Sequence, residues 1–180
     1  MTVSLSIIIP VLNEQDGLSL FLERARPSVD AALALIGHEA ACEYLFVDDG
    51  SSDRTPDILA ILTGMHDDVR SIRLSRNFGK EAALAAGLRH ARGDAVIPMD
   101  VDLQDPPEVV PQMVAAWLGG AKVVNARRVD RSADGAFKRW TAAAFYRLIN
   151  AMAETPIPEN VGDFRLLDRA AVDVLNRLGE

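Results

Sequence analysis

Five short segments rich in apolar residues set the rhythm of the chain: Ser4 to Pro10, Tyr44 to Val47, Val69 to Leu74, Ala95 to Met99 and Lys122 to Ala126. Segments of that length read as buried strands. Longer stretches between them carry helical signals. The first helix is expected from about Gln15 to Leu35, interrupted or bent at Pro27, and the second after Asp53, an acidic N-cap candidate with Pro56 in the first turn. Lys80 to Ala91 is apolar and Ala-rich, as a helix packed on a sheet should be, and Pro106-Pro107 open a fourth helix that runs to Leu118 and ends at Gly119-Gly120. Strand and helix in alternation predict an α/β fold with a largely parallel sheet and right-handed crossovers. At 180 residues and 49% hydrophobic content the chain can bury one substantial core, so a single domain over 1–180 is expected.

The polar residues that follow these strands carry the chemistry. Ala95 to Met99 leads directly into Asp100-Val101-Asp102-Leu103-Gln104-Asp105, so two carboxylates emerge at a strand's carboxyl end, where open α/β sheets bind ligands. In an extended segment residues two apart point the same way, which would let Asp100, Asp102 and Gln104 share one hard cation. A polar turn after a strand is the bland alternative. The first strand ends in Val11-Leu12-Asn13-Glu14 and the second in Asp48-Asp49-Gly50-Ser51-Ser52-Asp53, so three acidic or amide-bearing strand ends are expected on one edge.

Composition removes several classes. The net charge of -7 argues against nucleic acid as a partner. The charge is uneven: Lys122 to Arg147 holds seven basic and two acidic residues, so this segment is +5 and the remainder -12. The one cysteine, Cys42, excludes an internal disulfide and a cysteine metal cluster; it reads as a small core residue in a reducing compartment. Leu5 to Val11 is too short for a signal peptide, and no run reaches the roughly 20 apolar residues of a membrane span. Neither Gly-x-Gly-x-x-Gly after the first strand nor Gly-x-x-x-x-Gly-Lys-Ser/Thr occurs, which argues against a dehydrogenase or a phosphate-loop nucleotidase.

Taken together, Ile9 to Glu14, Val47 to Asp53, Arg76-Asn77-Phe78-Gly79-Lys80 and Asp100 to Glu108 resemble the inverting family 2 glycosyltransferases of the GT-A fold. Within that family they look most like the polyprenyl-phosphate sugar transferases, namely dolichol-phosphate mannose synthase and the bactoprenol glucosyltransferases. The resemblance implies a Rossmann-like, mostly parallel sheet flanked by helices and a nucleotide-sugar donor at the ends of the first two strands. It places Pro10, Asn13, Glu14 and Asp49 at the nucleoside, with Asp48 supporting the turn. Lys80 would face the diphosphate at a helix start, or be a solvated first-turn lysine. The same resemblance assigns Asp100, Asp102 and Gln104 to a Mg²⁺ or Mn²⁺ ion that bridges the diphosphate, while Asp105 reads equally well as the N-cap of the next helix.

For an acceptor, the resemblance implies a polyprenyl phosphate, already largely dianionic at neutral pH because its second pKa is near 6. Cationic positioning is then required, and Arg127, Arg139, Arg131 and Lys138 are candidates, against the alternative of a solvated basic surface. Phe137 to Ala153 has helical periodicity, with a broad apolar face and a basic one; it would pack on the core or lie in the membrane interface, and the adjacent basic cluster favours the membrane surface. Lys138-Arg139-Trp140 is similar to the Gln-x-x-Arg-Trp motif of processive synthases, but Ala136 stands at the glutamine position. Val161-Gly162-Asp163-Phe164-Arg165-Leu166-Leu167 looks like a segment of the bactoprenol glucosyltransferase branch, in which Asp163 and Arg165 would face the donor sugar or form a buried ion pair.

The expected activity is metal-dependent transfer of one sugar, glucose from UDP-glucose, to undecaprenyl or another polyprenyl phosphate at the cytoplasmic membrane face. GDP-mannose is the nearest variant donor. A phosphoacceptor signalling domain is the rival, but it needs an acidic pair after the first strand and a lysine after the last, where Asn13-Glu14 and Arg127 stand. A non-catalytic nucleotide-binding module is a further alternative. Relatives in the family continue into juxtamembrane and membrane segments, so the chain is expected to be a truncated piece.

Overall fold

A computed structural model describes residues 3–127 and 161–178 of the chain. Six strands, β1 (Val3–Val11), β2 (Ala41–Asp48), β3 (Val69–Arg73), β4 (Ala95–Pro98), β5 (Val123–Arg127) and β6 (Val161–Asp168), form one sheet in the order β3-β2-β1-β4-β6-β5. β2 and β4 flank β1 in parallel, and β3 adds in parallel to β2. β6, a strand beyond the five expected, is antiparallel to both β4 and β5, so the sheet is largely parallel, as expected. The helices are α1 (Leu18–Ile36), α2 (Thr55–Met65), α3 (Lys80–His90), α4 (Val110–Leu118, entered through a 3-10 turn at Pro107–Val109) and α5 (Arg169–Leu178).

Strand β1 is apolar on both faces because both are covered. Leu5, Ile7, Ile9 and Val11 pack with α1, α4 and α2, while Ile8 belongs to a second cluster with Ala83 of α3 and Val172 of α5. Phe21 of α1 meets Phe46 of β2 edge-on, with ring centroids 6.1 Å apart. Helix α3 comes so close to the sheet that a Cβ on Gly87 would stand 2.4 Å from Ile8 Cγ2. Only glycine fits there without displacement.

Of the two alternatives expected at Pro27, a break or a bend, the break does not occur: α1 is one helix from Leu18 to Ile36. Pro27 and Glu23, four residues before it, are both exposed, so the carbonyl that loses its partner can be hydrated. On the opposite side Phe21, Ala25, Val29 and Ala32 are buried and hold the helix to the sheet. Helix α2 starts close to expectation. Asp53 Oδ1 accepts a hydrogen bond from the Thr55 N–H (2.9 Å), and these contacts hold the Asp53 carboxyl below the usual range despite the opposing effect of desolvation. Pro106 caps the turn before α4, so Asp105 lies one residue outside the cap position the sequence offered it.

A polar knot ties down the opposite, amino-terminal edge of the sheet. Buried Glu43 accepts from Ser6 Oγ (2.6 Å) and the Arg92 N–H (2.6 Å), and it pairs with Arg70. Ser6 Oγ in turn accepts from the Gly93 N–H (2.8 Å). Burial pushes the Glu43 carboxyl up, but its hydrogen-bond donors outweigh burial and the group titrates below the ordinary glutamate value. A depressed folded pKa contributes stability above the unfolded value, about 4.3, that is lost as pH falls through the folded one. Urea unfolding should therefore show a declining midpoint below about pH 4. Glu43→Gln should lower stability at pH 7 by about 2 kcal/mol and make the acid decline shallower; an acid limb as steep as wild type would show that Glu43 does not contribute to it.

Candidate active site at the carboxyl edge of the sheet

The three central strands deliver their polar termini to one edge, and side-chain to backbone hydrogen bonds fix the loops there. Asn13, two residues past β1, has φ +57, and its Oδ1 accepts from the N–H groups of Ser52 (2.9 Å) and Asp53 (3.3 Å). The Asn13 N–H donates to Ser51 Oγ (2.9 Å), and the Glu14 N–H donates to Thr55 Oγ1 (2.8 Å). The loop after β1 is thus stitched to the loop after β2. The sequence marks Ser51 only by its place in the turn-rich run Asp49 to Asp53, and Thr55 follows two residues after it.

Both aspartates of the β2 end are buried, and their tasks differ. Asp48 Oδ1 accepts from the Ser51 N–H (2.8 Å), and Arg73 Nε approaches its other oxygen to 3.3 Å. Asp49 reaches across to the segment before α3 and accepts from the N–H groups of Phe78 (2.8 Å) and Gly79 (2.9 Å). Between the two loops Gly50 has φ +76, and a Cβ there would come within 2.5 Å of Arg76 backbone. The loop after β3 is pressed against the β2 turn, and a side chain would separate them.

Asp100 and Asp102 lie on a tight turn and not on an extended segment. The Leu103 N–H donates to the Asp100 carbonyl (3.2 Å), and Leu103 takes φ +57. Val101 is buried between them, pinning the turn to the core while both carboxylates reach the same cavity. That geometry corrects the alternation argument. Gln104 is exposed and does not line the cavity; its N–H donates to Asp102 Oδ1 (3.0 Å). Lys80, the first residue of α3, places Nζ 2.7 and 2.8 Å from the two oxygens of Asp100.

The cavity so formed has a volume of about 350 Å³ and includes Pro10, Glu14, Asp49, Lys80, Asp100 and Asp102 in its lining. Asn13 is not among the lining residues, because its side chain is engaged in joining the loops. Among the described residues no group of three or more His, Cys, Asp or Glu could hold a metal alone. Mg²⁺-type sites do not require one: such ions take one or two carboxylates, keep several waters and complete their shell with substrate phosphates. Two carboxylates on one turn, lining a cavity, fit that donor set.

β6 begins at this edge and runs away from it, antiparallel to β4 and β5. Arg165 stands opposite Asn125 of β5, between buried Phe164 and Leu166, and Asp163 precedes it on the same strand. Arg127 ends β5 opposite Val161. Arg131, Lys138, Arg139 and the Phe137 to Ala153 segment lie outside the described residues.

The glycosyl transferase family 2 model matches residues 6–175. The chain belongs to glycosyl transferase family 2. It is 46% identical over 176 residues to a bactoprenol glucosyl transferase of Shigella phage SfV, covering 98% of this chain and 55% of that protein. It is 44% identical over 176 residues to a prophage bactoprenol glucosyl transferase homolog of Escherichia coli (strain K12), covering 98% and 56%. The chain therefore spans about half the length of these relatives. Among solved structures it is similar to the Mycobacterium tuberculosis glucosyl-3-phosphoglycerate synthase in complex with Mn²⁺, UDP and phosphoglyceric acid, with TM-score 0.62, 24% identity, and coverage of 93% of this chain and 56% of that one. A mannosyltransferase from Pyrobaculum calidifontis gives TM-score 0.57 at 23% identity, over 97% of this chain and 46% of that one. These likenesses show the GT-A fold, as the motif resemblance implied.

The stitching role of Asn13 gives a test. Asn13→Ala removes an acceptor shared by two N–H groups and puts an alanine at positive φ, and urea denaturation should show a loss of about 2 kcal/mol. Asn13→Gly, which tolerates the backbone, should recover about 1 kcal/mol of that. Equal losses in the two variants would mean that the conformation at Asn13 carries no cost.

Proposed function

We propose that this glycosyltransferase transfers glucose from UDP-glucose to a polyprenyl phosphate, with inversion, at the cytoplasmic face of the membrane. The observation that carries the reading is the meeting of Asp100, Asp102, Lys80, Glu14 and Asp49 around one cavity at the carboxyl edge of the sheet. The names of the two bactoprenol glucosyl transferase relatives support glucose and the lipid phosphate. Among the described residues no helix is long and apolar enough to cross a membrane, and the membrane contact in this proposal is made through Phe137 to Ala153.

In this proposal Pro10, Glu14 and Asp49 bound the nucleoside end of the cavity, and Asp100 and Asp102 would hold Mg²⁺ or Mn²⁺. A divalent cation held there neutralises the charge that develops on the departing nucleoside diphosphate. The acceptor phosphate oxygen attacks the anomeric carbon in line, forming the new C–O bond as the bond to the diphosphate oxygen breaks and its electron pair leaves with UDP. Since the acceptor is a dianion, the protein need supply no strong base. Arg127, Arg131, Lys138 and Arg139 position the acceptor phosphate, and Asp163 and Arg165 orient the donor sugar.

Two measurements test this division. Asp102→Asn should abolish Mn²⁺-stimulated UDP binding, read by calorimetry, in a variant with a wild-type circular dichroism spectrum; undiminished stimulation would remove Asp102 from the cation site. Arg127→Gln should lower transfer to undecaprenyl phosphate by about a hundredfold with less than a threefold change in UDP-glucose affinity, as expected for loss of a charge-assisted phosphate contact of about 3 kcal/mol. A parallel fall in donor affinity would assign Arg127 to the diphosphate.

A further inference from the structure

Lys80 occupies the carboxylate that the proposed cation needs. Its Nζ sits 2.7 and 2.8 Å from the two oxygens of Asp100, so the ammonium spans the carboxylate. A lysine is electrostatically out of place at a helix amino terminus, where the dipole favours anions. Lys80 is nevertheless the first residue of α3, and Asp100 supplies the compensating charge. Asp100 is the fixed partner of the two, held by the turn to Leu103 and by buried Val101 beside it. The lysine side chain, by contrast, is half-exposed and has a flexible four-carbon stem.

We propose that Lys80 and the divalent cation are alternative partners of Asp100, exchanged when the diphosphate of the donor arrives. This rests on the cation reading given above. An ammonium across both oxygens and a dication coordinated by the same group repel each other, so the cation must displace Lys80 to gain Asp100. A diphosphate brings new anionic oxygens to the start of α3, where Lys80 and the helix dipole both favour them. Lys80 then transfers from Asp100 to the diphosphate, and Asp100 becomes available to the metal. The consequence is positive coupling: cation and nucleotide each raise the other's affinity by the same factor. Lys80 is in this account a positioning residue whose partner depends on what the cavity holds.

The test is Mn²⁺ titration of the chain, followed by the electron paramagnetic resonance signal of free Mn²⁺, with and without saturating UDP. Wild type should bind Mn²⁺ weakly alone and at least tenfold more tightly with UDP. Lys80→Ala should bind Mn²⁺ alone about threefold to tenfold more tightly than wild type, because a partly exposed ion pair no longer competes, and the enhancement by UDP should shrink. Arg76→Ala controls for general electrostatics: Arg76 stacks on Phe78, with its guanidinium carbon 4.2 Å from the ring centroid, and its removal takes away a cation that does not pair with Asp100. Arg76→Ala should leave Mn²⁺ affinity within twofold of wild type. Unchanged Mn²⁺ affinity in a folded Lys80→Ala variant, or an equal gain in Arg76→Ala, overturns the exchange while leaving the cation site standing. If wild type binds no Mn²⁺ even with UDP, the cation reading itself fails and the exchange falls with it.

Discussion

The constraint on which the structure depends is that β1 is enclosed, with β2 and β4 on its flanks and helices over both faces. Ile7, Ile8 and Ile9 are all fully buried, although they point alternately to opposite sides. A strand covered in this way can present polar chemistry only at its ends. Because β1, β2 and β4 are parallel, their carboxyl ends share one edge, and Glu14, Asp49 and the Asp100-Asp102 pair come together there without any of them being adjacent in sequence. The cavity is thus a consequence of strand direction first and of loop chemistry second.

Loop chemistry then fixes its shape. Asn13 and Leu103 accept positive φ, a conformation that costs a non-glycine residue free energy, and both adjoin residues of the cavity. Asn13 is repaid by three donors from Ser52 and Asp53, and Leu103 by its packing against the core and the turn bond to Asp100. Gly50 lets the segment before α3 approach the β2 turn, which brings Phe78 and Gly79 to Asp49 and so sets where Lys80 begins its helix. The Lys80 to Asp100 pair depends on that chain of contacts.

Much of this was legible in the sequence, and the reasons differ by element. Apolar runs ending in carboxylates announced β1, β2 and β4 together with the edge they serve, because full burial leaves an unambiguous pattern. Helix starts at Asp53 and Lys80 were readable from local capping and composition. The turn at Asp100 was not, because its shape is set by Val101 entering the core and by Leu103 adopting positive φ, neither of which the alternation of polar residues reveals. β6 escaped the strand reading since Gly162, Asp163 and Arg165 interrupt its apolar residues, and its pairing with β4 and β5 is a long-range event. Asn13 looked like a ligand contact, yet the sequence held no sign that the partners of its side chain would be backbone groups forty residues away.

The central claim is that the Asp100-Asp102 turn holds a divalent cation against the diphosphate of a nucleotide donor. Anomalous diffraction at the manganese edge, from crystals of the chain grown with UDP and Mn²⁺, tests it most directly. The account predicts one strong anomalous peak bonded to a carboxylate oxygen of the turn and to oxygens of the diphosphate, with Lys80 drawn away from Asp100. A diphosphate bound in the cavity with no manganese at the turn, or manganese bound at a distance from it, would contradict the account.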